Sequence, residues 1–117
     1  MITMKKTFYI VLIGLSSCAT TERMVIDNTI AKIEIDNGYS GEKVEIKSEI
    51  QNDLIADLNE SKLCGPMKYI KSHRIFLFHA NSDVDTIWTN GQIHQMKIDG
   101  KYKTYKSKDD LIKKYSR

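Results

Sequence analysis

Apolar and polar residues alternate strictly from Lys32 to Asp36, with Ile33 and Ile35 on one side and Lys32, Glu34 and Asp36 on the other. A period of two marks a strand with one buried face, and a strand is predicted from Ile30 to Asp36. Asn37-Gly38-Tyr39-Ser40-Gly41 reads as a turn. Lys43-Val44-Glu45-Ile46 then returns as a second strand paired with the first. The period changes after that. Ile50, Leu54, Ile55 and Leu58 recur at helical spacing, while Asp53 and Asp57 face outward. Ser48, with Gln51 three residues on, has the spacing of a capping box. A helix is predicted from about Glu49 to Asn59, and Cys64-Gly65-Pro66 breaks the chain into a loop.

The second half reads as a meander. Arg74 to Ala80 places Ile75 and Leu77 on one face and Phe76 and Phe78 on the other. Both faces are apolar, so this strand is expected in the middle of a sheet. Asn81-Ser82-Asp83 turns the chain, and Val84 to Thr89 returns. Asn90-Gly91 and Asp99-Gly100 both have the composition of two-residue hairpin turns. They bracket strands from Gln92 to Ile98 and from Lys101 to Tyr105. Ser107 with Asp110 suggests another capping box, opening a short helix through Leu111, Ile112 and Tyr115. Lys113, Lys114 and Arg117 sit at its C-terminal end, where the helix dipole favours cations.

The order is ββ-α-ββββ-α. It implies an α+β fold, a small antiparallel sheet (a meander) with one or two helices packed on one face. Closed differently, the same elements would make a small barrel. No internal repeat or low-complexity tract is present.

The chain begins with a different pattern. Met4-Lys5-Lys6 precedes the unbroken apolar run Phe8-Tyr9-Ile10-Val11-Leu12-Ile13, which leads to Gly14-Leu15-Ser16-Ser17-Cys18. A positive segment, a short apolar run and small residues make up a cleavable export signal. The run is well short of the roughly 20 residues that span a bilayer as a helix. Leu15-Ser16-Ser17-Cys18 resembles the lipobox of bacterial lipoproteins: an aliphatic residue, two small residues, then cysteine. The resemblance covers only this segment. It implies cleavage before Cys18 and attachment of diacylglyceryl to the Cys18 sulfur. Ala19, rather than aspartate, implies outer-membrane sorting if the host is diderm. The chain then divides into a signal peptide at 1–17, a lipid-anchored tether at 18–28 and a single α+β domain at 29–117. Two acyl chains suffice for stable anchoring, so the expected location is the membrane of a bacterial cell envelope.

Composition changes this picture in two places. The 117 residues carry a formal charge of +3, and loss of Lys5 and Lys6 with the signal leaves +1. Acidic residues concentrate between Glu22 and Glu60, and basic ones between Lys97 and Arg117. Side-by-side packing of the two stretches would cancel most of that asymmetry. Nucleic acid is not an expected partner of an exported, nearly neutral domain. The chain has two cysteines. With Cys18 acylated, Cys64 is expected to be a lone buried thiol.

Candidate chemistry is sparse. His79 and His94 fall on adjacent or near-adjacent strands with Asp83 and Asp85 in the turn region between them, a conceivable His/His/Asp metal set. No pair has the short spacing of a dedicated site. There is no G-x-S-x-G sequence and no phosphate-cradling glycine loop. Nor does a histidine adjoin Cys64. No catalytic residue and no cofactor is therefore assigned, and a non-enzyme is expected. Trp88 with Tyr102 or Tyr105 would form an aromatic contact patch if they face outward; a lone Trp in a meander more often covers the core. The expected function is a lipid-anchored, non-catalytic protein-binding module of the inhibitor or immunity kind. Its partners would be the membrane, through the N-terminal lipid, and a protein of the envelope. The alternatives are a small-ligand or metal carrier and a structural envelope component.

Overall fold

The computed structural model describes residues 22–27 and 29–115; the signal segment, the lipobox with Cys18, and Arg117 lie outside the described residues. Seven strands form one sheet: β1 (Ile30–Asn37), β2 (Lys43–Glu45), β3 (Lys62–Cys64), β4 (His73–His79), β5 (Val84–Thr89), β6 (Ile93–Ile98) and β7 (Lys101–Lys106). Two helices complete the described chain, α1 (Ser48–Asn59) and α2 (Leu111–Tyr115). The spatial order is β2-β1-β4-β5-β6-β7-β3, and every pairing is antiparallel. The expected meander is therefore present as β4 to β7. The sheet is open, with β2 and β3 as its edges, rather than a barrel.

Register explains the core. Ile33 pairs with Leu77, and Ile35 pairs with Ile75, which pairs with Ile87, which pairs with Met96. Residues directly opposite one another share a face, so these side chains form one apolar surface. Ile33, Ile75, Leu77 and Ile87 are fully buried there. Leu54 and Leu58 of α1 and Leu111 of α2 belong to the same cluster. Each fully buried aliphatic side chain contributes about 1.5–3 kcal/mol from lost apolar exposure.

Several expectations change. β3 was expected as loop. Its strand character comes from pairing, Lys62 with Lys106 and Cys64 with Thr104, because three residues before Gly65-Pro66 carry no alternation long enough to read. β5, not β4, holds the middle of the sheet, although β4 is interior and apolar on both faces. Neither capping box forms as expected. Lys47 occupies the N-cap of α1 without a side-chain hydrogen bond, and the Gln51 amide donates instead to the Ile30 carbonyl at 3.2 Å. At α2 the cap is Asp110, whose Oδ1 accepts the Lys113 N–H at 3.0 Å.

The two hairpin sequences behave differently. Asp99 and Gly100 both have positive φ, 51° and 81°, as a type I′ turn requires. Around Asn90-Gly91 the last register pair is Thr89 with His94, so the connection is longer than two residues. The Asn90 Oδ1 accepts the Gln92 and Ile93 N–H groups at 3.0 and 2.8 Å, which bends the chain locally. Gly91, at φ 108°, accepts the Leu111 N–H at 2.7 Å. A Cβ there would lie 2.0 Å from the Asp110 carboxylate, so close approach as well as φ requires glycine.

Residues 22–27 are not a loose tether. Met24 is 1% exposed and Ile26 6%, whereas Val25 between them is 80% exposed. The Leu63 N–H donates to the Glu22 carbonyl at 2.8 Å, and the Met24 N–H to Ser61 at 3.1 Å. Asn59 clamps Ile26 on both sides: its Oδ1 accepts the Ile26 N–H at 2.7 Å and its Nδ2 donates to the Ile26 carbonyl at 3.2 Å. The ordered domain thus begins by Glu22, not residue 29.

Candidate functional site: an aromatic and cationic sheet face

The residues between the core positions point to the other side of the sheet. Phe76 and Phe78 alternate with Ile75 and Leu77 on β4. Trp88 alternates with Ile87 and Thr89 on β5, and Tyr102 faces Lys97 across β6 and β7. Trp88 stands between Arg74 on one neighbour and Gln95 on the other. Its ring meets Tyr102 edge-on with centroids 5.9 Å apart. The Tyr69 hydroxyl donates to the Trp88 carbonyl at 2.9 Å; burial pushes that phenol up to about 12, so it stays a donor.

Cations cover the rings. The Lys32 ammonium lies 4.6 Å from the Phe78 centroid, the Arg74 guanidinium 5.3 Å from Phe76, and the Lys97 ammonium 5.7 Å from Tyr102. Each such contact at an exposed position contributes about 0.5–1 kcal/mol. Two of the cations also bind carboxylates: Lys32 reaches Glu34 at 3.2 Å, and Arg74 reaches its cross-strand partner Asp36, with Nε at 3.0 Å. Lys97 has no carboxylate partner among the described residues. Tyr102 remains 57% exposed, and Trp88 is half-buried. This end of the face offers aromatic edges, one uncompensated ammonium and the Gln95 amide.

Trp88 and Tyr102 are therefore brought together, while Tyr105 is separated from them. Tyr105 is 2% exposed and belongs to the core cluster. Three residues along a strand change the face, so Tyr102 and Tyr105 point to opposite sides.

The His/His/Asp set is not assembled. His94 is fully buried, its ring nitrogens 2.8 Å from Thr89 Oγ1 and 2.8 Å from Ser107 Oγ. His79 places Nε2 2.7 Å from Asp85 Oδ2 and Nδ1 2.8 Å from Thr29 Oγ1. Asp83, the third proposed member, instead accepts from the Asn81 amide at 3.2 Å. Among the described residues no three His, Cys, Asp or Glu side chains are placed to hold a metal. Sequence reasoning set Asp85 near His79 only as part of a metal set, and it missed Thr29. Thr29, His79 and Asp85 follow the order hydroxyl, imidazole, carboxylate. The Thr29 hydroxyl, however, donates to Asp27 Oδ1 at 2.6 Å, so its proton points away from the imidazole. That hydroxyl bond holds the Asp27 carboxyl below the usual carboxylate range. The cluster fastens the entry of β1 to β4 and β5.

Cys64 is 7% exposed, as expected for a buried sulfur, but it is disulfide-bonded rather than a thiol. The chain's other cysteine, Cys18, lies outside the described residues. The lone-thiol expectation rested on taking Cys18 out of the inventory by acylation.

Comparison with protein-family models, with curated proteins and with solved structures finds no match to this chain.

Proposed function

We propose that this chain is a lipid-anchored protein of the bacterial cell envelope whose domain binds another protein through the aromatic face, without catalysis. The observation that carries the binding reading is the Trp88–Tyr102 pair beside Lys97. Exposed aromatic residues with a cation alongside are the composition of interface hot spots. The uncompensated ammonium favours a partner presenting carboxylates next to an apolar surface. We read the architecture as α+β, with both helices over the core face and the aromatic face left open. Its support is the single cluster joining Leu54, Leu58 and Leu111 to Ile33, Ile75 and Ile87.

The anchor rests on Lys5-Lys6, the apolar run and Leu15-Ser16-Ser17-Cys18. No helix among the described residues is long and apolar enough to cross a membrane. A sulfur in a thioether has no valence left for a disulfide. The chain holds two cysteines, so acylation of Cys18 and a disulfide between Cys18 and Cys64 exclude one another. Cys18→Ser is expected to abolish palmitate labelling and release the protein from the membrane fraction; unchanged labelling would overturn the anchor. The intact mass without reduction shows which bond each sulfur carries.

The binding reading is tested by crosslinking in whole envelopes followed by affinity capture. The parent chain is expected to recover one specific protein, and the double variant Trp88→Ala/Tyr102→Ala to lose it while keeping its membrane location. Equal recovery by parent and variant, or no specific protein with the parent, rejects the aromatic face as the docking site.

A further inference from the structure

A second surface lies where the chain enters the domain. Arg23 bridges Lys62 across the outer edge of β3, and Lys62 is in register with Lys106 of β7. Three cations therefore stand directly opposite one another, on the bridged entry segment, β3 and β7. Side chains so placed have Cβ atoms about 4.5–5.5 Å apart, and like charges in that arrangement repel. Lys108 lines the same shallow cleft, together with Glu60 and Ser107. Arg23, Lys62, Lys106 and Lys108 are all exposed, and none of the four has an ion-pair partner among the described residues. Glu22 beside them is drawn to Lys103 at 3.3 Å. Such a row is unfavourable in isolation and becomes favourable against a sheet of anions.

The chain itself identifies the anions. The Glu22 carbonyl is held by β3 through the Leu63 N–H, and only three residues, Ala19 to Thr21, separate Glu22 from Cys18. The four residue-to-residue steps reach about 14 Å at most. A domain anchored at Cys18 on so short a leash must present this edge, not the far β2 edge, to the bilayer. We propose that Arg23, Lys62, Lys106 and Lys108 seat the domain on anionic lipid headgroups, fixing its orientation on the membrane. This rests on the lipid-anchor reading. One acyl anchor reinforced by a basic patch is a general means of strengthening and orienting membrane attachment. The aromatic surface around Trp88 is then left to a partner.

The test uses the full chain as processed in cells, extracted from membranes and reconstituted into two vesicle types, phosphatidylcholine alone and phosphatidylcholine with phosphatidylglycerol. An amine-reactive reagent reports each lysine by mass spectrometry. Reactivity of Lys62, Lys106 and Lys108 is expected to fall at least about fivefold in the anionic vesicles relative to the neutral ones, with Lys43 and Lys47 near the opposite edge unchanged. In Arg23→Gln/Lys62→Gln, protection of Lys106 and Lys108 should be lost, whereas Lys43→Gln/Lys47→Gln, with the same change in charge, should keep it. Equal reactivity in both vesicles overturns the proposal, as does protection that survives in Arg23→Gln/Lys62→Gln. Protection reproduced by inorganic phosphate without vesicles assigns the row to free phosphate and also overturns it. The intact mass separates the two readings: an unacylated chain removes the anchor and with it the leash, while an acylated chain with unprotected lysines removes the seat alone.

Discussion

Acidification from pH 7 to pH 4 is expected to remove about 3 kcal/mol of folding stability through His94 alone. The hydrogen bonds around its ring explain why. The Ser107 hydroxyl donates to the Asp109 carbonyl at 2.7 Å, so it accepts from His94 Nε2–H. The opposite nitrogen, Nδ1, then accepts from the Thr89 hydroxyl, which itself accepts the Gly91 N–H at 2.8 Å. The neutral ring satisfies every member of this chain, and a second ring proton would have no acceptor. Burial pushes His94 down to about 4, with the Asp110 charge opposing the shift. The unfolded chain titrates near 6.5. Between these values the unfolded state takes up a proton that the folded state refuses. The stabilisation is complete above about pH 6.5 and is lost as the pH falls towards about 4. Urea unfolding across that range measures it. His94→Gln should lower stability at pH 7 by roughly 1–2 kcal/mol and flatten the dependence between pH 6.5 and 4. A variant that loses stability as steeply as the parent would show that His94 is not the titrating group.

Met24→Ala should destabilise the domain by about 3 kcal/mol, within the range for emptying a fully buried Met site. Met24 is 1% exposed and belongs to the core cluster. Its neighbours amplify the effect. The Met24 N–H is bonded to Ser61, and Asn59 holds Ile26 through both backbone groups. Loosening this segment exposes Leu63 and the β3 edge as well. Val25→Ala is the control, since Val25 is 80% exposed and its loss should change stability by less than about 0.5 kcal/mol. Denaturant midpoints for the two variants decide the matter. Equal midpoints would mean that residues 22–27 are a tether after all, and the short leash behind the proposed membrane seat would lengthen accordingly.

Most of the fold was legible in local pattern. Ile33 and Ile35, the helical spacing of Leu54 and Leu58, and the continuous apolar run through β4 each mark an element that exists. A period of two or of 3.6 is itself the imprint of one buried face. Met24-Val25-Ile26 is apolar throughout, so the sequence carried no alternation to show that Met24 and Ile26 are buried while Val25 is exposed. β3 left no trace, because Lys62-Leu63-Cys64 becomes a strand only when β7 lies beside it. The capping boxes failed for a related reason. Ser107 has the right spacing, yet its hydroxyl accepts from His94, thirteen residues away in sequence.

The candidate site was legible in composition and not in arrangement. Trp88 and Tyr102 stood out as aromatic residues on neighbouring hairpins, and the parity of Tyr105 already set it on the opposite face from Tyr102. The cations over Phe76, Phe78 and Tyr102 depend on cross-strand register. The row Arg23, Lys62, Lys106 depends on three segments that meet only at the sheet edge. By itself the sequence determined the order of most elements and which side of each long strand is apolar, since these follow from spacing along one stretch of chain. The tertiary structure alone decided that Met24 and Ile26 belong to the core, that His94 is a buried link hydrogen-bonded through both ring nitrogens, and that four cations gather where the chain enters the domain. Each of those facts is a contact between residues far apart in sequence, and neither periodicity nor propensity carries information about distant partners.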